Sequence, residues 1–317
     1  MEKKITNEFQ KKKYGTALKC RTALLNFRMG TERVCFNPRC KASIDKYYSP
    51  LPARKAFICR RCLGHFYPMA GSIFGNTHID EVHLFEIAYL MLSSRNGIAA
   101  KEVERMYGYG YPAIHRLMHL IRSLMGQCLE WSFDNDAVLE IDESFVKTGN
   151  KGLGRHHHFK PGRGSEKHST ILVIAERVGK AKLYVIPSAD AETIIPLLEE
   201  QIDKSSLLIT DDWSAYNGLK ARGYSHIQVN HNEKDPKFRY KNGMASTNTA
   251  ENIFSNLKRS IKGTYRSTSR QYLQYYLNEY AFRHSFRNEP DYGFSILMQN
   301  LGSLSEYYAE TSESHAA

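Results

Sequence analysis

Three acidic groups and one lysine, far apart in the chain, have the side chains that metal-dependent phosphate chemistry needs. Asp142 sits in "EIDES", Asp211 and Asp212 in "ITDD", and Glu251 and Lys258 in "ENIFSNLK". Carboxylates suit a hard ion such as Mg²⁺, which keeps several waters. A lysine supplies a compact positive charge for a phosphate. Glu251 and Lys258 lie seven residues apart, almost two helical turns, and so nearly in register. Pattern alone does not choose within each group. Glu140 and Glu143 crowd Asp142, Asp211 and Asp212 point to opposite faces of a strand, and Asn248 with Glu251 has the spacing of a helix-capping pair.

Four of the six cysteines form a second constellation: Cys35 and Cys40 in "CFNPRC", Cys59 and Cys62 in "CRRC". Each gap lets two thiolates reach one tetrahedral Zn²⁺. Four thiolates leave no open position, so the site reads as one structural zinc with His65 a bystander. The eighteen residues between the pairs carry turn formers and aromatics, as short strands over a metal would. So small a region buries little apolar surface, and the metal would supply the folding energy. Cys20 and Cys128 lack partners at ligand spacing and read as buried or free thiols.

The elements that must position the acids follow from hydrophobic period. "AVLEIDESFV" (137–146) reads as a buried strand, followed by a polar, basic loop that contains His156, His157 and His158. "STILVIAERV" and "AKLYVIP" read as two more strands, "DAETIIPLLEEQID" as an amphipathic helix and "SLLITDD" as a fourth strand. "WSAYNGLKARG" reads as a short helix ending in glycine, and "YSHIQVNH" as a fifth strand. The helix with Ile253, Leu257 and Ile261 on one stripe comes next, then a long Tyr- and Phe-rich helix. Tyr272, Tyr275, Tyr276 and Tyr280 share a face there and suit packing better than base stacking. The order β-β-β-α-β-α-β-α is that of the ribonuclease H-like α/β fold. In that topology the ends of the first and fourth strands lie side by side, with the last helix beside them. Asp142, Asp211 or Asp212, and Glu251 would then converge on two Mg²⁺ (or Mn²⁺) roughly 3.5–4 Å apart.

Upstream, residues 79–125 have helical periodicity: "IDEVHLFEIAYLMLSS", a break at "SRNG", then "IAAKEVERMYG" and "YGYPAIHRLMHLIRSLM". Pro112 fits a first helical turn. Three helices with a tight turn before the last suit a helix-turn-helix, with Tyr111, His115, Arg116 and His119 as candidates for DNA contact.

"CRRCLGHFYPMAGSIF", "EIDESFV", "ITDDWSAYNGL" and "NTAENIFSNLKRSIKGTYRS" with "YLNEYAFRHSFRN" together resemble a family of bacterial insertion-sequence transposases of the DDE type. That family joins a zinc ribbon and a helix-turn-helix to a ribonuclease H-like catalytic domain, and its third acidic position is Glu or Asn followed by Lys. The resemblance runs from about Arg33 to Asn288. It implies Asp142 and Asp211 as the first two metal ligands and Glu251 as the third, with Asn248 the other candidate, and Lys258 as the phosphate-binding cation. One position departs: relatives usually have Gly where this chain has Asp212. The implied reaction is cleavage at transposon ends and strand transfer into target DNA, by a homodimer or larger assembly.

Charge agrees with a polyanion partner. The chain carries 44 Lys+Arg against 33 Asp+Glu, a net +11. The excess clusters in residues 1–30, 147–182 and 234–270, each with eight or nine Lys/Arg and two acids. Lys160 and Arg163 in the second cluster and Arg259 and Lys262 in the third are candidate double-stranded DNA contacts. No apolar run approaches the eighteen or so residues of a membrane span, and "MEKKITNEFQKKKYG" has no apolar core for a signal peptide. A cytoplasmic, nucleoid-associated protein with reduced thiols is expected. The expected organisation is a basic segment (1–32), a zinc ribbon (33–76), a helix-turn-helix (77–130), the catalytic domain (135–290) and a tail (291–317). The rival readings are a non-catalytic DNA-binding regulator derived from a transposase and a structure-specific nuclease of the same fold.

Overall fold

The computed structural model describes residues 12–29, 32–72, 74–148, 168–177, 179–229 and 246–302. The chain divides into two compact units: Met1–Ser93 with Ala100–Cys128 and Glu289–Ala317, and Ser94–Ala99 with Leu129–Asn288.

The first unit opens with helix α1 (Ala17–Met29), followed by a short helix α2 (Ile44–Tyr47) and strands β1 (Tyr48–Leu51), β2 (Ala56–Cys59) and β3 (His65–Phe66). The three strands form a small antiparallel sheet in the order β1-β2-β3. Its apolar side is too short to close by itself. Leu25 of α1 completes it, packing with Ile44, Phe57 and Phe66. Helices α3 (Glu81–Ser93), α4 (Ala100–Tyr107) and α5 (Tyr111–Gln127) follow. A turn with Gly108 at φ +75° links α4 to α5, a conformation glycine adopts without penalty. Pro112 lies in the first turn of α5, where its missing N–H costs nothing. The Tyr109 hydroxyl fixes that turn to the start of α3, accepting from the Asp80 amide at 3.0 Å and meeting His83 Nδ1 at 2.9 Å.

The second unit is a five-stranded mixed sheet with helices. Its elements are β4 (Val138–Lys147), β5 (His168–Glu176), β6 (Ala181–Ile186), α6 (Ala191–Gln201), β7 (Leu207–Asp211), β8 (Ser225–Val229), α7 (Asn248–Ser260) and α8 (Leu273–Ser285). The strand order is β6-β5-β4-β7-β8. The first three strands are antiparallel to one another, and β4, β7 and β8 run parallel. On one face Leu139, Ile141, Leu172, Ile174 and Leu208 pack against Ile194 and Leu198 of α6. Helix α7 covers the other face of β4 and β5. The segment 214–222, expected as one helix, forms two 3₁₀ turns, Ser214–Tyr216 and Lys220–Arg222, ending at Gly223 with φ +89°. Asn217 and Gly218 between them are poor helix formers, which explains the break.

Helix α9 (Pro290–Gln299) returns to the first unit, although its residues read as a tail in sequence. Phe294 is buried among the rings of Tyr14, Phe85 and Tyr89, at centroid distances of 5.4, 5.8 and 5.7 Å. A buried Arg21–Glu81 pair at 3.0 Å fastens α1 to α3 beside them. Among the described residues no helix is long and apolar enough to cross a membrane.

Candidate active site

The acids are positioned by strand register. β4 pairs with β7 through Val138–Leu207, Leu139–Leu208 and Glu140–Ile209. Asp142 and Asp211 each lie two residues beyond the last pair, where β4 and β7 part from each other while Asp142 still pairs with Val173 of β5 and Asp211 with Val229 of β8. Alternation puts both on the face of Glu140 and Ile209, opposite the Leu139 and Leu208 core. Asp211 is half-buried, and its Oδ1 accepts from the Trp213 amide at 3.1 Å. Asp212 lies past the strand end and is exposed. Glu143 points to the other face, where it accepts a hydrogen bond from the buried Tyr216 hydroxyl.

Helix α7 lies along β4. At one end Glu140, fully buried, accepts from the Thr249 amide (2.6 Å), the Thr249 hydroxyl (3.0 Å) and the Ala250 amide (3.2 Å). At the other end Lys258 Nζ donates to Ser144 Oγ at 2.6 Å. Four strand residues and nine helical residues both span about 13 Å, so the two contacts hold helix and strand in step. Asp142 falls between them on the same strand face, and Glu251 stands on the first turn of the helix. Burial pushes the Asp142 carboxyl up to about 8, with the negative charges of Glu143, Asp211 and Glu251 adding to it. Asn248 is exposed at the first position of the helix. The capping-pair reading does not describe this end. Thr247 is the N-cap and makes no side-chain cap bond, and the orphan amides are taken by Glu140 from the neighbouring strand.

In the first unit the cysteine quartet has assembled. Cys35 Sγ lies 3.7 Å from Cys62 Sγ, and Cys40 Sγ lies 3.8 Å from Cys59 Sγ. Tetrahedral Zn–S bonds of about 2.3 Å require S···S separations of about 3.8 Å, so the four thiolates fit a zinc site. Lys41 and Leu63, which follow the second cysteine of each pair, take left-handed φ of 48° and 59° and turn the chain back around the sulfurs. Cys20 and Cys128 are buried elsewhere. Among the described residues only the quartet brings three or more candidate ligand atoms within 4.8 Å of one another; Asp142, Asp211 and Glu251 do not.

Residues 136–285, from β4 to the end of α8, match the ISXO2-like transposase domain family. The chain resembles insertion-sequence transposases of the DDE type. An uncharacterized transposase-like protein of Haemophilus influenzae (strain ATCC 51907 / DSM 11121 / KW20 / Rd) is 32% identical over 54 residues. That match spans 16% of this chain and 44% of the relative. The crystal structure of a pre-cleavage Mos1 transpososome aligns over 68% of this chain and 78% of that one, at 10% identity and a TM-score of 0.25.

Outside the acids, the transposase-like domain has a cationic groove of about 850 Å³. Lys147 and His168 from the strand ends face Lys258, Lys262 and Arg266 from α7 and the turn after it, and among the described residues no carboxylate lines the groove. Lys262 was expected among the DNA contacts; Arg259 is exposed but outside the groove, donating to Ser255 Oγ at 2.9 Å. Lys160, Arg163 and the three consecutive histidines lie outside the described residues. On α5 of the first unit, Arg116 is exposed and His115 half-buried, its ring 5.5 Å from that of Tyr111. His119 does not suit DNA contact, because it is 9% exposed on the inner side of the helix. The tyrosine face of α8 is also divided: Tyr280 is buried, Tyr272 is exposed, and Tyr276 packs on Tyr265 at 4.7 Å. Sequence reading missed the role of Glu140. A second acid two residues before Asp142, hence on the same strand face, was the available signal.

Proposed function

We propose that this chain is a DNA transposase whose ribonuclease H-like domain cuts and joins DNA at the ends of an insertion sequence. One observation carries the reading. The parallel pairing of β4 with β7 leaves Asp142 and Asp211 adjacent on the sheet face along which α7 carries Glu251 and Lys258. The family match of residues 136–285 and the strand order support the same reading.

Asp142, Asp211 and Glu251 are the residues that would hold two Mg²⁺ or Mn²⁺ ions. Their hard oxygens suit these ions. Ligands shared between ions roughly 3.5–4 Å apart need not crowd into one coordination sphere, so the spread of the three carboxylates is compatible with the pair. When bound, such ions sharpen an oxygen nucleophile and stabilise the leaving oxygen of a phosphodiester. The chain supplies the rest. Lys258, held by Ser144, offers a fixed positive charge to a phosphate oxygen. The groove beside it carries flanking phosphates on Lys147, Lys262 and Arg266. Cys35, Cys40, Cys59 and Cys62 hold one structural zinc, and α3 to α5 act as a helix-turn-helix that reads the element's ends through Arg116 and His115. The protein works as a dimer or larger assembly on DNA.

A strand-transfer assay with duplexes carrying the element's ends tests the reading. In Mg²⁺ the unaltered chain frees a 3′-hydroxyl at each end and joins it to target DNA. Asp142→Asn, Asp211→Asn and Glu251→Gln each abolish both steps, whereas Asn248→Ala and Asp212→Asn leave them in place. Intact cleavage in the first two variants would overturn the mechanism. Cutting without joining would indicate a nuclease, and binding without cutting a regulator.

A further inference from the structure

We propose that the tip of the cysteine ribbon is a DNA wedge, which inserts Phe36 and Leu63 into the minor groove while four flanking cations hold the phosphates. Among the described residues, Leu63 at 70% and Phe36 at 65% are the two most exposed large apolar side chains. They are not scattered. Each directly follows a zinc-type ligand, Cys35 or Cys62, and those two sulfurs lie 3.7 Å apart. The Phe36 ring touches Phe66 only at 5.8 Å, leaving most of its surface in solvent.

Charge selects the partner. Arg39 and Lys41 follow Phe36 within five residues, Arg60 and Arg61 precede Leu63 within three, all four are exposed, and among the described residues none has an acidic partner. Neither knuckle, "CFNPRCK" nor "CRRCLG", contains an acid. An exposed apolar pair alone would suit any protein partner, but a pair on knuckles that carry four exposed cations and no acid suits a polyanion with an apolar interior. Duplex DNA is one: apolar side chains enter between base steps from the minor groove, and arginines follow its negative potential. The inference rests on the reading of the chain as a DNA-acting protein, and it adds an end-binding contact separate from α5.

The test uses the full chain, zinc-loaded as purified, with a short A·T-rich duplex and no divalent ion, so that no strand is cut. Bending is read by energy transfer between the duplex ends, and affinity by anisotropy. The double variant Phe36→Ser/Leu63→Ser is expected to lose the bend and bind about tenfold or more weakly, with its zinc content unchanged. Arg60→Gln/Arg61→Gln should keep the bend but lower the salt slope of log K by about 1.8, two phosphates' worth. A double variant with normal zinc that still bends and binds like the parent overturns the proposal. So does one that binds DNA normally but no longer self-associates, since the tip would then be a protein interface. Because the readout is binding alone, loss of strand transfer in the acid variants bears only on the catalytic reading.

Discussion

At the scale of single residues, the most consequential side chain is Glu140, not one of the proposed metal ligands. It is fully buried, and it meets both the start of α7 and Arg177, whose Nε lies 3.1 Å away. Removing it would leave two helix amides without their acceptor, while the partly exposed Arg177 keeps Ser246. Glu140→Ala should therefore cost about 2–4 kcal/mol, read as a lowered unfolding midpoint. Glu140→Gln keeps an acceptor and should cost less. In both, amide exchange at Thr249 and Ala250 should accelerate; unchanged protection there would mean that Glu140 does not anchor the helix. His119 makes a second prediction. Burial, then the positive charges of Arg122 and His115, push its imidazole down to about 3. The unfolded chain takes up a proton near 6.5 and the native one does not, so stability is full above that pH and declines as pH falls from 6.5 toward 3. At pH 5 the loss is about 2 kcal/mol. Thiolate protonation also weakens the ribbon in acid, so the comparison is with His119→Phe. That variant should lose less stability between pH 7.5 and 5 than the parent, and an equal loss would refute the assignment.

At the scale of elements, what could be read from sequence was what is local. Apolar runs broken by polar and charged residues marked all five strands of the second sheet, and the stripe of Ile253, Leu257 and Ile261 marked the buried face of α7 and the turn after it. The cysteine pairs were legible because ligand spacing is a short-range rule. The anchoring of α7 was not, because its cap comes from a strand 109 residues away. The groove was equally hidden, since its walls are 90 or more residues apart (His168 to Lys258) and join through the β4 and α7 alignment. The turn after α7 shows the same dependence. Residues Ile261–Tyr265 widen into a π-helical turn that aims Lys262 at the groove, followed by Arg266 at φ 65°. Tyr265 holds this turn by donating to the buried Glu279 carboxylate, and Gly97 lies directly against the phenol. A Cβ at Gly97 would come 1.8 Å from the Tyr265 oxygen, at a φ of +79° that already disfavours it. Gly97→Ala should cost about 2–4 kcal/mol and weaken DNA binding more than Gly223→Ala, which has a positive φ of +89° as well but meets no neighbouring atom. Equal effects on binding would show that the turn does not govern the groove.

At the scale of the whole molecule, the net charge of +11 is a statement about partners rather than about the fold. In the second unit Lys147, Lys258, Lys262 and Arg266 line one groove that has no acid among its described residues; in the first, four exposed cations lie within the cysteine knuckles or next to them in the chain. Such an arrangement binds by displacing counterions, which makes affinity a steep function of salt. A chain that neutralises six or more phosphates loses about 10³-fold or more in affinity between roughly 50 and 200 mM salt. That loss is the expectation for a duplex without the element's ends, measured in the absence of divalent ions. Replacing Lys147, Lys262 and Arg266 with glutamine together should flatten the slope of log K against log salt by about 2.7, at 0.9 per phosphate. The side chains are exposed or at a rim, so folding should survive, and thermal unfolding checks this. A slope unchanged in the triple variant would mean that DNA does not run through the groove beside Lys258, and the acids would then lack the strand on which they are proposed to act.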